Sequence, residues 1–277
     1  TNLIRHLLEK TDYKIISVDN YSSGSKKNHI KNSRVKYIKG DTRNISKLIK
    51  KPNQIKTIFH FGEFSRIYQS FLNMNECIES NTVGSNSIFN FCLKNKIKLI
   101  YSATSASLGN KGDDKNLSPY AFSKAKNLEL LENLKKWFNF KYEVIYFYNV
   151  YGTNQIEKGK MATVIGIFED FYKKNKPLPV VKPGSQTRKF THIDDTIKTC
   201  YEAWKRDKSR HYSISHRKSY SILEVAKMFK SKIIFLKSRS GERYASALTR
   251  ISQNNKIIHK YGKINLKDYI SSFIKEH

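Results

Sequence analysis

The chain has 277 residues, enough for one large α/β domain or a domain with a smaller lobe, and 39% hydrophobic residues supply a core. No run approaches the ~20 apolar residues that span a bilayer. The N-terminus lacks the basic-then-apolar layout of a signal peptide, so a cytoplasmic protein with no membrane partner is expected. The net charge of +29 raises nucleic acid as a partner. The lysines are spread evenly, without an Arg-rich block or basic-aromatic interleaving, which fits solvated faces and disfavours nucleic acid. Cys77, Cys92 and Cys200 are odd in number and in no CxxC spacing, and the histidines are scattered. Neither a disulfide framework nor a metal site is expected, and the cysteines read as buried thiols.

In chain order, "TNLIRHLLEK" opens as an amphipathic helix with Leu3, Ile4, Leu7 and Leu8 on one stripe. Five β-branched runs follow: "KIISVD" (14–19), "VKYIKGD" (35–41), "TIFHFG" (57–62), "KLIYSAT" (98–104) and "YEVIYFYNVYG" (142–152). Helical patterns separate them, including segments near 77–95 and 120–138, the latter with Leu130, Leu131, Leu134 and Trp137 in its stripe. Such alternation predicts βαβ units and a Rossmann-type, doubly wound parallel sheet. Beyond about residue 153 come helices near 161–175, 194–206, 221–230 and 266–275, with strands near 211–214 and at "KIIFL". This division predicts a dinucleotide-binding domain over 1–152 and a smaller α+β, mainly substrate-binding lobe over 153–277, the two enclosing a cleft.

Asp19 ends the run "KIISVD" where a dinucleotide fold places the acid that binds the adenosine ribose hydroxyls, and its charge favours NAD over NADP. The matching glycine-rich turn, whose amides would hold a pyrophosphate, does not occur, since no glycine precedes Gly24. The first strand and its turn are therefore expected to be missing from this sequence. In "SPYAFSK", Tyr120 and Lys124 stand four apart on one helix face, where the ammonium can lower the phenol from its reference pKa of ~10. Tyr172/Lys176 and Tyr201/Lys205 have the same spacing, so spacing decides nothing. Context separates them: Tyr120 follows an apolar strand ending in small hydroxyl residues, Thr104 among them, at the sheet edge where ligands bind. The other two pairs lie in Lys-rich helices and read as solvated.

"YSATSASLG", "SPYAFSK", "YFYNVYG", "TRKFTHIDD" and "RSGER", in that order, resemble the nucleotide-sugar epimerase branch of the extended short-chain dehydrogenase/reductases, the NAD-dependent epimerase/dehydratase family, in which UDP-glucose 4-epimerase is a familiar member. The resemblance implies an isomerase with NAD as a retained cofactor, a nucleotide-diphosphate sugar as substrate and a homodimer formed through the helices near 77–95 and 120–138. It implies Thr104 as the catalytic hydroxyl, Tyr120 as the base and Lys124 as the lysine that also holds the nicotinamide ribose. Asp19, Asn20 and Asp41 match the adenosine end, Phe61 and Gly62 the loop over pyrophosphate and ribose. Asn81 matches the asparagine behind the cofactor and Tyr148 the residue beside the nicotinamide. Asn149, Arg188 and Arg239 match contacts to the diphosphate or uridine, for which guanidinium groups suit bidentate phosphate binding.

Besides the missing glycine-rich turn, the sequence departs from that pattern in two places. Lys189 stands where the family has Asp, and "FGEFSR" replaces a small-residue loop. Ser105 and Ala106 occupy the positions of the acid pair of 4,6-dehydratases, which disfavours dehydration. Two alternatives stand beside epimerisation at C4. One is an ADP-heptose 6-epimerase-like enzyme, with Lys158 as an extra catalytic lysine or, more simply, one more solvated lysine. The other is a non-catalytic dinucleotide-fold module associated with RNA.

Overall fold

The computed structural model describes residues 1–206, 211–241 and 261–277. In chain order it runs α1 (Asn2–Lys10), β1 (Ile15–Asp19), β2 (Val35–Lys39), α2 (Ile45–Leu48), β3 (Thr57–His60), α3 (Ile67–Leu72), α4 (Met74–Ile78), α5 (Ser85–Lys94), β4 (Lys98–Thr104), α6 (Pro119–Phe138), β5 (Tyr142–Phe147) and β6 (Val150–Tyr151). It continues with α7 (Val164–Lys173), β7 (Leu178–Val181), β8 (Thr187–Lys189), β9 (Thr191–His192), α8 (Ile193–Arg206), β10 (His211–Ser213), β11 (Ser219–Ser221), α9 (Ile222–Met228), β12 (Ile233–Leu236) and α10 (Leu266–Glu276). A π-turn, Glu79–Gly84, links α4 to α5, and a 3-10 segment, Ser105–Asn116, links β4 to α6.

The main sheet has the order β10-β5-β4-β3, all parallel, while β1 and β2 form a separate parallel pair. β4 is central and buried along all but its first residue, as a parallel strand covered on both faces must be. One side carries the cluster of Phe89, Leu99, Tyr101, Leu131, Val144 and Tyr146, and the other that of Ile100, Ile145, Cys200, Ala203 and Tyr212. A further core of Tyr151, Phe168, Leu178, Val180, Phe229 and Phe273 joins α7, β7, α9 and α10.

Three expectations are corrected. The run 142–152 is not one strand: Asn149 adopts φ 37° and splits it into β5 and β6; asparagine is among the few residues that visit this region readily. The segment α8–β10 packs on the main sheet, with β10 as its edge strand beside β5. Trp137 leaves the apolar stripe of α6 and is 62% exposed, whereas Leu131 and Leu134 are buried. The three cysteines are fully buried, and burial pushes Cys77 up to about 11 and Cys92 up to about 12. Among the described residues no helix is long and apolar enough to cross a membrane.

α6 carries both Tyr120 and Lys124 in its first two turns. Ser118 Oγ accepts the Ala121 N–H at 3.1 Å, Pro119 occupies the first turn, and Asn139 closes the far end in the left-handed region at φ 51°. These signals fix where the helix begins, and hence where the two side chains point. Ser118→Ala is expected to lower unfolding stability by about 1 kcal/mol, read from the urea midpoint at unchanged slope; an unchanged midpoint would show that the cap does not hold this helix start.

Candidate active site

The candidate residues gather at the carboxyl ends of the parallel strands. β4 ends at Thr104, whose Oγ1 accepts the Ala106 N–H at 3.1 Å and whose carbonyl accepts Ser107 Oγ at 2.7 Å. The Tyr120 N–H donates to Ser70 Oγ of α3 at 3.2 Å. Thr104, Tyr120 and Lys124 are all buried and line one cleft of about 690 Å³, together with Phe61, Asn149, Arg188 and Arg239. The two rival pairs lie outside the cleft lining; their lysines, Lys176 and Lys205, are exposed, while their tyrosines are half-buried against aromatic rings. Tyr172 packs on Phe229 and Phe273, and Tyr201 on His6 and Trp204.

Lys124 is 3% exposed and donates to Glu63 Oε2 and the Ser102 carbonyl, with the Tyr101 ring 4.5 Å below its ammonium. Burial lowers its pKa, and the Glu63 carboxylate opposes that shift. Glu63 Oε1 accepts Ser85 Oγ at 2.7 Å, Tyr101 Oη at 3.0 Å and Asn127 Nδ2 at 3.3 Å. Tyr101 remains a phenol donor, because burial and Glu63 both raise its pKa. Because the Ser85 hydroxyl gives its proton to Glu63, the contact of 2.9 Å between Ser85 Oγ and His60 Nε2 requires His60 to be the donor there.

Asn81 is fully buried in the π-turn. Its Oδ1 accepts the Phe64 N–H at 2.7 Å, and its Nδ2 donates to the Phe64 carbonyl at 3.1 Å and to Ser123 Oγ at 3.2 Å. It therefore clamps the β3–α3 loop onto α6. Tyr148 is placed in the core, its hydroxyl 2.7 Å from Ser213 Oγ, and it is not among the cleft residues; its neighbour Asn149 is, with Nδ2 donating to the Lys189 carbonyl at 2.8 Å. Lys158 pairs with Asp170 at 3.4 Å, and its side chain is 69% exposed outside the cleft lining.

At the other end of the edge, Asp19 closes β1 and is exposed, accepting the Tyr21 N–H at 2.7 Å. A Cβ on Gly24 would come 2.5 Å from Asp19 Oδ2, so any side chain there would collide with the carboxylate. The Asp41 carboxyl is held below its ordinary range chiefly by the Arg43 side chain, with nearby Asn20 acting in the same direction. Thr42 then touches the Cβ positions of Gly62 and Gly84, which connects this end to the loop bearing Glu63. An exposed acid at a strand end and a buried phenol-lysine pair further along fit the ribose groups of NAD.

Sequence reasoning missed three charged residues of the cleft. Glu63 was visible only as a break in the small-residue loop, while Arg66 and Lys160 looked like any other basic residues. With them the described lining carries Arg66, Lys124, Lys160, Arg188 and Arg239 against Glu63 alone, a balance suited to an anionic ligand. The last residues of "RSGER", Glu242 and Arg243, lie outside the described residues.

Comparison with known proteins places these features in context. A sequence profile described as the NAD dependent epimerase/dehydratase family matches residues 1–215. A putative UDP-glucose 4-epimerase of Methanocaldococcus jannaschii is 27% identical, over 86% of this chain and 84% of its own length. An ADP-L-glycero-D-manno-heptose-6-epimerase of Brachyspira hyodysenteriae is also 27% identical, over 83% of this chain and 76% of its own. The fold is shared with the UDP-glucose 4-epimerase of Thermotoga maritima solved with UDP-glucose (TM-score 0.87, 20% identity, 99% and 93% of the two chains). It is shared too with the UDP-glucuronic acid 4-epimerase of Bacillus cereus solved with UDP-glucuronic acid and NAD (TM-score 0.86, 24% identity, 99% and 95%).

The buried network has a measurable pH signature. Burial pushes His60 down to about 4, so the folded protein refuses a proton that the unfolded chain takes near pH ~6.5. The neutral ring's contribution is complete above about pH 6.5 and is lost as pH falls toward about 4, by roughly 3 kcal/mol. His60→Gln is expected to flatten that part of the stability-pH curve in urea titrations; equal slopes for the variant and the parent would remove His60 as its source.

Proposed function

The chain belongs to the NAD dependent epimerase/dehydratase family, and from that premise we propose that it is a nucleotide-sugar epimerase inverting a hexose carbon, C4 of a UDP-sugar, through a transient ketone. The observation that supports this reading is the convergence of Thr104, Tyr120 and Lys124 on one cleft that also holds Asn149, Arg188 and Arg239. NAD, when bound, supplies the two-electron acceptor and donor. The residues of the chain do the rest. Tyr120 removes the proton from the sugar hydroxyl and returns it, Thr104 hydrogen-bonds the same oxygen, and Lys124 holds the ribose beside the phenol. Asp19, Asn20 and Asp41 bind the adenosine end, with Phe61 and Gly62 beside the pyrophosphate. Arg188 and Arg239 take the substrate diphosphate, with Asn149 as a further polar contact. Asn81 acts by fixing the loop that Glu63 and Phe64 occupy.

The first domain then binds the cofactor and the second mainly the sugar nucleotide. The homodimer interface is assigned to the α4–α5 and α6 helices, where Met74, Val83, Phe122 and Trp137 expose apolar surface. The position of Lys158, paired with Asp170 away from the cleft lining, favours C4 chemistry over the heptose reading.

The purified chain, supplied with NAD, is tested for epimer formation from UDP-glucose, UDP-N-acetylglucosamine and ADP-heptose. A UDP-hexose is expected to turn over, and Tyr120→Phe to lower kcat roughly 10²–10⁴-fold with the circular dichroism unchanged. Activity that survives loss of the phenol sinks the assignment of the base. Retention on heparin without turnover of any of the three donors would favour the RNA-associated module instead.

A further inference from the structure

Glu63 and Arg66 sit three apart on the β3–α3 loop, and both line the cleft. Building on the reading of Tyr120 as the base, we propose that they are positioning residues that exchange the cation beside it: Glu63 holds the Lys124 ammonium in the cleft wall, and Arg66 presents the uncompensated positive charge to Tyr120.

The Glu63 side chain is 3% exposed, and its Oε2 meets Lys124 while Oε1 is held by Ser85, Tyr101 and Asn127. Opposite charges in contact largely cancel at a third group, so Lys124 alone is a weak source of field at the phenol. Arg66 differs. Its Nη1 donates to the Ser65 carbonyl at 2.8 Å, Nε to the Ala162 carbonyl at 3.3 Å and Nη2 to the Met161 carbonyl at 2.5 Å. Carbonyls orient the guanidinium without neutralising it, and among the described residues it meets no carboxylate. Met161, which it grips, packs against the cluster formed by Phe64, Cys77, Ala106, Tyr120 and Ala121. Burial lowers the Arg66 pKa and the charge of a Tyr120 phenolate opposes that shift, an electrostatic coupling of the two side chains. The charged and titratable groups around the phenol are Glu63 and Arg66 of the β3–α3 loop, Lys124 of α6, Tyr101 of β4, Cys77 of α4 and Lys160 of the loop before α7.

The test is an ultraviolet titration of tyrosinate absorbance, taking the full chain minus its Tyr120→Phe variant so that one phenol is read. Arg66→Gln removes the cation, and the Tyr120 step is expected to move up by about one pH unit or more. Glu63→Gln removes the carboxylate and is expected to move it down. Arg66→Lys keeps the charge while losing the fork and is expected to leave the step near its original pH. The apparent pKa in kcat/KM should follow in the same directions. A step that stays put in Arg66→Gln, or one that moves equally in Arg66→Gln and Arg66→Lys, overturns the proposal, and this pair decides even where Glu63→Gln fails to fold. Because the titration needs no sugar, absent turnover would sink the epimerase reading alone, and an unmoved phenol step with intact turnover would sink this proposal alone.

Discussion

An ammonium as deeply buried as that of Lys124 keeps its charge only beside a compensating group, and the site is arranged around that requirement. Glu63 supplies the carboxylate, and holding Glu63 in turn recruits Ser85 from α5, Tyr101 from β4 and Asn127 from α6. Ser85 passes the network to His60 on β3, and Asn81 pins the adjacent backbone at Phe64. The loop after β3, the central strand and two helices therefore meet at one ion pair. Loss of either partner of such a buried pair costs roughly 3–5 kcal/mol, mostly through the charge left behind. Tyr120 keeps its place because α6 is anchored at its cap, Ser118, and again within its second turn at Lys124.

Much of this was legible in the sequence, and the limits have physical causes. A parallel sheet covered on both faces writes apolar, β-branched runs, and so "KLIYSAT" gave the bounds of β4, Lys98–Thr104, residue for residue. The break at Asn149 is one residue in a sparsely populated conformation and leaves no periodic trace. The place of β10 beside β5 depends on pairing across more than sixty residues, as in Tyr212 with Ile145, which a local pattern cannot encode. The tyrosine-lysine spacing became informative only with the fold, since two other pairs share it, their tyrosines packed on aromatic rings and their lysines exposed. Glu63 and Arg66 stayed hidden for a different reason: in a chain with 52 basic residues a loop arginine carries no signal, and a single acid shows its purpose only when its partners are known.

The charge of +29 has to be sorted by place before it explains anything. On the surface, pairs such as Lys126 with Glu129 at 2.8 Å and Arg43 with Glu79 at 2.5 Å are well exposed and contribute little. In the cleft the same residue types face one carboxylate, and that acid is already engaged with Lys124. Low dielectric and the scarcity of acids make these cations act on a ligand far more strongly than their share of the total suggests.

α3 joins the two halves of that cleft. The helix begins at Arg66, which grips the loop before α7; Tyr68 lies under the guanidinium of Arg239, 5.1 Å from its ring centre; and Ser70 accepts the Tyr120 N–H. At its far side, a Cβ on Gly241, which adopts φ 75°, would collide with Phe71 and Ile67, so the segment carrying Arg239 lies directly on the helix. Arg188, by contrast, is buried within β8 and fixed by the sheet. The two arginines of the cleft lining are thus mounted differently, one on a strand and one on an exposed segment resting on α3. The segment that carries Arg239 and the backbone of Tyr120 thus meet at one six-residue helix, through Tyr68 and Ser70.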